Sequence, residues 1–129
     1  MAAGTYLCII AGLCFVSTIG QMAGGWRKRN TDDKAIIDVA KIAVTDYNHR
    51  SNDIYFIKFM KVISAQSQVV AGTNYDLHVK VGKTNCRKNG NAANADSNSC
   101  VVNQVLTCYF EVYQRSWENY NEVTKSSCS

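Results

Sequence analysis

The sequence predicts an α+β fold in which an antiparallel β-sheet of four to five strands packs against one N-terminal α-helix. Apolar residues between positions 36 and 47 recur with helical spacing. The segments after position 54 are β-prone, and one of them alternates regularly between apolar and polar residues. A helix followed by consecutive strands buries its apolar stripe against one face of the sheet. The 129 residues are enough for one domain at most.

The helix is predicted to begin after Thr31, a residue type that caps helix N-termini. Asp32 and Asp33 would then occupy the first turn, where the helix dipole favours carboxylates. We expect the helix to end near Asn48. Its apolar face has the spacing i, i+3, i+4, i+7, i+11 and consists of Ile36, Val39, Ala40, Ala43 and Tyr47.

Four strands are predicted after the helix. The first covers residues 54–68, and residues 69–72 interrupt it before the second. The second gives the clearest alternation, with apolar residues at Tyr75, Leu77, Val79 and Val81. The third covers residues 101–113, residues 114–119 form a turn, and the last strand runs towards Cys128. Residues 21–30 are predicted to be an extended, mobile arm, and residues 87–99 a polar loop.

The N-terminal segment is typical of a secretory signal peptide. Residues 1–20 carry no charged side chain and include a ten-residue apolar run at 7–16. A bilayer span needs ~20 residues, whereas a signal h-region needs fewer. Cleavage after Gly20 would leave Thr18 and Gly20 at the small-residue positions that the peptidase reads. We expect a signal peptide at 1–20, a single mature domain at 21–129, secretion, and no membrane insertion.

Four cysteines remain in the predicted mature chain: Cys86, Cys100, Cys108 and Cys128. An even number in an exported domain indicates two disulfides. Three pairings are compatible with the sequence. The sequential pairing, 86–100 with 108–128, is the simplest because each bridge closes a short local loop. No CxxC pair or histidine cluster accompanies the cysteines, so no metal site is predicted.

The charge and the titratable residues exclude several classes of function. The net charge of +4 comes from 14 basic and 10 acidic residues. This is well below the positive charge typical of nucleic-acid-binding proteins. No glycine-rich phosphate loop is present, and no cofactor is expected. The histidines, His49 and His78, would be the acid–base groups of a small nuclease, but nothing in the sequence places them together. We therefore do not predict an enzyme.

Three features are not explained by core formation: Gly24 in the arm, the apolar segment at 68–72, and Trp117 between the last two strands. Hairpin tips are normally polar because they face water. Apolar residues at such tips therefore suggest a binding edge. An equally good reading of the residues alone is that Val69 and Val70 fold back onto the helix and that Trp117 caps the core.

The order of these features resembles the secreted type 2 cystatins over essentially all of 24–128. Gly24 is followed by a helix ending in Tyr47-Asn48, by 68–72 (QVVAG) matching the family's QxVxG signature, and by four cysteines with Trp117 between the last two. The resemblance implies a cystatin-like fold, with the sheet wrapped around the helix. It also implies a monomer that reversibly and tightly inhibits papain-like cysteine proteases such as cathepsins.

The resemblance also implies site residues. Met22 would fill the apolar specificity pocket, Gly24 would let the arm bend along the non-primed subsites, and Trp117 would anchor the primed side. The central hairpin would lie over the catalytic thiol, and it consists of Gln68, Val69, Val70, Ala71 and Gly72. Some family members use an Asn after the helix against legumain, and Asn52 falls there. An ordinary turn-forming Asn explains that position equally well.

The sequence departs from the family pattern in the second hairpin. Ser116 replaces the usual Pro before the hairpin Trp, which predicts a looser second hairpin.

The alternative function is a non-inhibitory, secreted defence protein of the same fold that binds anionic microbial surfaces. Its support is the basic run at 27–29 together with Lys83, Arg87 and Lys88.

Overall fold

The computed structural model describes residues 24–88 and 100–129. The predicted signal peptide, Met22 and most of the polar loop at 87–99 lie outside these residues. The described chain forms β1 (Arg27–Lys28), α1 (Lys34–Arg50), β2 (Tyr55–Val70), β3 (Gly72–Arg87), β4 (Val102–Arg115) and β5 (Tyr120–Cys128). The strands lie in chain order in one antiparallel sheet. The predicted α+β fold, with one helix on an antiparallel sheet, is confirmed.

The helix begins later than predicted because a turn precedes it. The backbone N–H of Asp33 donates to the carbonyl of Asn30 at 3.1 Å, and that of Asp32 donates to the Asn30 side chain at 2.8 Å. Asp33, not Thr31, is the N-cap, and its carboxylate accepts the N–H of Ala35 at 3.0 Å. This bond and the Arg29 guanidinium lower the pKa of Asp33.

The helix ends two residues beyond the predicted Asn48. The N–H of Ser51 donates to the carbonyl of Tyr47 at 2.8 Å and closes the last turn. The Asn48 side chain bonds both backbone groups of Ile57, at 2.9 and 3.0 Å, and so ties the helix to the beginning of β2. Asn48 therefore links two elements and does not terminate the helix.

The core lies between α1 and the inner face of the sheet. The predicted helix face is buried apart from Tyr47, which packs against the core and makes an edge contact with Phe110. Val44 joins this face. From β3 and β4, alternate residues point inward, and they are Tyr75, Leu77, Val79, Val81, Cys108, Phe110 and Val112.

The strands are longer than the sequence pattern indicated. β2 and β3 pair from Tyr55 and Arg87 to Val70 and Gly72, so the predicted interruption at 69–72 is a tight turn within one long hairpin. Apolar and polar residues alternate imperfectly along β2 because the register shifts at Met60 and Ile63, where an extra residue bulges from the strand and is exposed.

The arm is more ordered than predicted. Arg27 and Lys28 pair with Ser67 and Gln66 as the first strand of the sheet. The Arg29 N–H then donates to the carbonyl of Ala65 at 2.9 Å. The prediction of a wholly mobile arm at 21–30 is thus wrong for these residues, because backbone pairing does not depend on hydrophobic periodicity.

Both disulfides have the sequential pairing that the sequence favoured, Cys86–Cys100 and Cys108–Cys128. Cys108 and Cys128 face each other in the β4–β5 register. Cys100 is buried where the chain enters β4. No helix in the described part of the chain has the length and apolarity that crossing a membrane requires.

Candidate functional site

The three features that core formation does not explain meet at one end of the sheet: Gly24, residues 68–72 and Trp117. The β2–β3 hairpin turns at Ala71, and Thr73 beside this turn pairs with Gln114 near the end of β4. The β4–β5 hairpin therefore turns at the same end. Gly24 precedes β1 and reaches this end along the edge of β2. We call this surface the wedge end and define it as Gly24, residues 68–72 and residues 116–119.

The first hairpin depends on glycine at position 72. Gly72 has φ +111°, a conformation that L-residues rarely adopt. A Cβ added there would lie 2.7 Å from the carbonyl oxygen of Gln114 and 2.8 Å from the hydroxyl of Tyr113. That hydroxyl donates a short hydrogen bond to the carbonyl of Ala71. The missing side chain thus lets the two hairpins touch.

The arm is held against the same hairpin. The side-chain amide of Gln68 donates to the carbonyl of Gly24 at 3.1 Å, and its oxygen accepts from Asn74 at 3.5 Å. Gly24 has φ +67°, so the chain bends here. The sequence predicted a bend at Gly24 and a role for Gln68, but not that one contacts the other.

The second hairpin forms a closed turn with Ser116 in place of the proline. Residues Ser116–Glu118 form one 3₁₀ turn, which closes when the N–H of Asn119, at φ +52°, donates to the Ser116 carbonyl at 3.1 Å. Arg115 pairs with Glu118 and stacks 4.3 Å over the ring of Tyr120. Hydrogen bonds to Tyr113 and Glu118 raise the pKa of Arg115, which stays charged.

Apolar side chains are exposed at the wedge end. Val69 is 61% exposed and Trp117 is 67% exposed. Neither folds onto the core, so the core-building reading of these two residues is wrong. Trp26 and Tyr120, which sequence reasoning did not single out, are 39% and 38% exposed. Their closeness in the sequence to Gly24 and Trp117 is the signal that could have identified them.

A cystatin domain model matches residues 24–117. The chain belongs to the cystatin family. Cystatins are protease inhibitors, not enzymes, and membership implies that the partners of the chain are cysteine proteases.

Relatives and solved structures agree with this assignment. A cystatin-2 from Crotalus adamanteus is 32% identical, over 95% of this chain and 92% of that protein. A cystatin-1 from Chilobrachys guangxiensis is 34% identical, over 93% and 90%. The crystal structure of dimeric human cystatin F superposes with a TM-score of 0.71 at 28% identity, covering 83% of this chain and 87% of that one.

Asn52 lies at the opposite end of the molecule. It is exposed in the loop between α1 and β2. β2 has 16 residues, which at ~3.3 Å per residue places this loop about 50 Å along the strand from Val70. Two contacts hold the loop: Asp53 pairs with Lys83 at 3.0 Å, and Lys88 donates to the Ser51 carbonyl at 3.0 Å.

The charges behind the alternative function are partly engaged within the protein. Arg29 bonds Asp33 and Ser67, at 2.9 and 3.1 Å. Lys83 and Lys88 hold the Asn52 loop, as described above. These contacts give a structural role to three of the six basic residues that support the alternative function.

The two histidines are far from forming a catalytic pair. His49 is in the last turn of the helix, whereas His78 is on the face of the sheet that points away from it. Within residues 24–88 and 100–129, no group of three or more His, Cys, Asp or Glu residues is placed to hold a metal ion.

Proposed function

We propose that the protein is a secreted, monomeric, reversible and tight-binding inhibitor of papain-like cysteine proteases of the cathepsin type. The mature domain would be residues 21–129, after removal of the signal peptide at 1–20. The observation that carries this proposal is the convergence of Gly24, residues 68–72 and Trp117 at one end of the sheet, with Val69 and Trp117 exposed.

The wedge end would enter the active-site cleft as a unit. The hairpin of residues 68–72 would lie above the catalytic thiol, with the arm on the non-primed side and Trp117 on the primed side. Met22, two residues before Gly24, would extend into the apolar specificity pocket. No peptide bond of the hairpin needs to adopt a cleavable geometry, so the protease would be blocked without turnover.

Preorganisation supports tight binding. The Tyr113–Ala71 hydrogen bond already ties the first hairpin to β4, and the Gln68–Gly24 hydrogen bond ties the arm to the first hairpin. The β-branched Val69 and Val70 lose little rotamer freedom on docking. Less ordering is then needed on association, and more of the contact energy appears as affinity. Tryptophan is enriched at binding hot spots, which fits the exposure of Trp117.

A matched pair of valine variants tests the proposal. Val69→Asp places a carboxylate in the wedge, and Val105→Asp makes the same change at a 50% exposed residue in the other half of the sheet. Papain and cathepsin L would be titrated with oxidised 21–129 and both variants. We expect stoichiometric inhibition by the parent and by Val105→Asp. Val69→Asp should bind at least about a hundredfold more weakly.

Trp117→Ala provides a second, independent test at the other hairpin. Loss of about 2 kcal/mol or more would weaken inhibition at least about thirtyfold. Circular dichroism would establish that each variant is folded. A folded parent that inhibits neither protease, or equal inhibition by Val69→Asp and Val105→Asp, would refute the wedge.

Asn52 supports a second inhibitory site, directed against legumain. The loop is exposed, anchored on both sides, and distant from the wedge end. One molecule could therefore hold both proteases at once. Asn52→Ala should abolish legumain inhibition and leave papain inhibition intact, whereas Asn103→Ala, at another exposed asparagine, should change neither. Legumain inhibition that survives Asn52→Ala would refute this second site.

A further inference from the structure

The outer face of the sheet, which points away from α1, carries a row of lysines. Lys80 lies between Val79 and Val81, which are fully buried and point inward, so its own side chain points outward. Lys61 is its direct cross-strand partner. Lys58 pairs with Gly82 one step further along the same face.

These three lysines have no partner in the part of the chain that the structure describes. Other lysines do: Lys34 pairs with Asp38 at 2.7 Å, and Lys125 with Glu111 at 3.7 Å. Like charges directly opposite each other destabilise a sheet. The Lys61–Lys80 pair therefore costs folding free energy, and a stability role does not explain it.

An open groove continues the lysine row towards β1. It has a volume of about 380 Å³, and its charged and titratable lining consists of Lys28, Arg29, Asp76 and His78. The Ser64–His78 pair is next to the Lys61–Lys80 pair on the outer face, since one inward-facing pair separates them. Lys28, opposite Gln66, adds a further cation at the far end.

The carboxylates on this face already have partners. Asp76 accepts hydrogen bonds from Tyr109 at 2.7 Å and from Gln66 at 3.3 Å. Glu111 is paired with Lys125. Asp76 is held by neutral donors and keeps its negative charge, whereas Glu111 is ion-paired. Against the single charge of Asp76, Lys28, Lys58, Lys61 and Lys80 still leave a net positive charge along this row. The unmatched charge is what an anionic ligand would complement.

We propose that this basic strip, defined as Lys28, Lys58, Lys61 and Lys80, binds a linear sulfated polysaccharide. From the Lys28 row to the Lys58 row the strip extends six residues along β3, about 20 Å at ~3.3 Å per residue. Its cations follow a line, partly within a groove, and this shape fits an extended chain better than a planar membrane. The disulfides indicate an extracellular setting, where linear polyanions are typically sulfated polysaccharides.

The basic strip is separate from the wedge end and does not depend on protease inhibition. The Lys61–Lys80 pair is eight residues along β3 from Gly72, about 25 Å by strand rise. A polysaccharide on the strip would leave the wedge end open. Such binding would retain the protein at cell surfaces or in matrix, where extracellular proteases act.

Calorimetric titration of oxidised 21–129 with heparin tests the proposal. Lys61→Gln/Lys80→Gln removes two charges from the strip, and Lys34→Gln/Lys41→Gln removes two charges from α1, on the other side of the sheet. At 150 mM salt we expect the strip variant to lose about tenfold in affinity and the control less than about threefold. The salt dependence of the logarithm of the binding constant should also become shallower in the strip variant alone.

Two results would overturn the proposal. Equal losses in both double variants would mean that heparin responds to net charge and not to the strip. Tighter binding to phosphatidylserine-containing vesicles than to heparin, with the same lysine dependence, would make the ligand a membrane. Thermal unfolding serves as the folding control, and Lys61→Gln/Lys80→Gln should be no less stable than the parent because it removes a like-charge pair.

Discussion

Replacing Gly72 with alanine should destabilise the protein strongly, although it adds a single methyl group. The φ of +111° is strained for any residue with a Cβ, at a cost of about 1–3 kcal/mol. The new Cβ would lie 2.7 Å from the Gln114 carbonyl, which is backbone and cannot rotate away. The two hairpins must therefore move apart.

The movement should also break the hydrogen bond between Tyr113 and the Ala71 carbonyl, worth about 1 kcal/mol net. Reduced entropy of the unfolded chain offsets about 0.4–1 kcal/mol. The balance is a loss of about 2–3 kcal/mol, which lowers the melting temperature of a domain of this size by roughly 8–15 °C. Gly25→Ala is the matched control, because no atom lies within 4 Å of its added Cβ and its φ is not positive.

Urea denaturation and thermal unfolding of parent, Gly72→Ala and Gly25→Ala measure the difference. Tyr113→Phe in the Gly72→Ala background separates the causes: it removes one of the crowded atoms but leaves the backbone contact and the strain, so it should restore only a minor part of the loss. A Gly72→Ala melting temperature within about 2 °C of the Gly25→Ala value would refute the reasoning.

Three further predictions concern stability. Opening the Cys108–Cys128 bridge, with a sequence separation of 20, by double alanine substitution should cost about 3 kcal/mol in the free energy of unfolding by urea; an unchanged midpoint would contradict this. Burial and a carboxylate hydrogen bond raise the pKa of Tyr109 to about 12, so the free energy of unfolding should fall as the pH rises from 10 through 12. In alkaline denaturation, Tyr109→Phe should make that decline shallower. The N–H of Ala35 lowers the pKa of Asp33 below 3.8, so the stability that the Asp33 carboxylate contributes is present above pH 3.8 and is lost as the pH falls below it. The loss of unfolding free energy in Asp33→Ala, measured in urea, should therefore shrink as the pH falls through that range. A loss that stays constant with pH would be evidence against the capping role.

The elements that the sequence predicted well are those whose burial is periodic. The helix face at Ile36 and the β3 alternation around Leu77 identified the core because one side of each element is buried. Boundaries were less accurate where polar side chains decide them. The Asn30 turn displaces the cap from Thr31 to Asp33, and Asn48 bonds β2 while the helix continues past it.

The exposed residues of the candidate site could be predicted from the sequence, but the contacts between them could not. Exposed Val69 and Trp117 could be singled out because apolar residues stand where turns are expected. The contact between Gln68 and Gly24 and the one between Tyr113 and Ala71 could not, since both join residues distant in the chain. The opposition of Lys61 and Lys80 was equally hidden, because it depends on the bulges that shift the β2 register at Met60 and Ile63.

These bulges connect the fold to the arrangement of its surfaces. Without the extra residue at Met60 and the second at Ile63, period-2 alternation could not keep Phe59, Val62 and Ala65 all on the inner face. Each bulge restores the apolar residues to the core and, as a consequence, returns Lys61 and Ser64 to the outer face. The same long β2–β3 hairpin then supplies the wedge end at one terminus and the basic strip along its middle. The Lys61–Lys80 pair lies about 25 Å along β3 from Gly72, so a ligand on the strip need not contact the turn at Ala71, and both surfaces are open to binding at the same time.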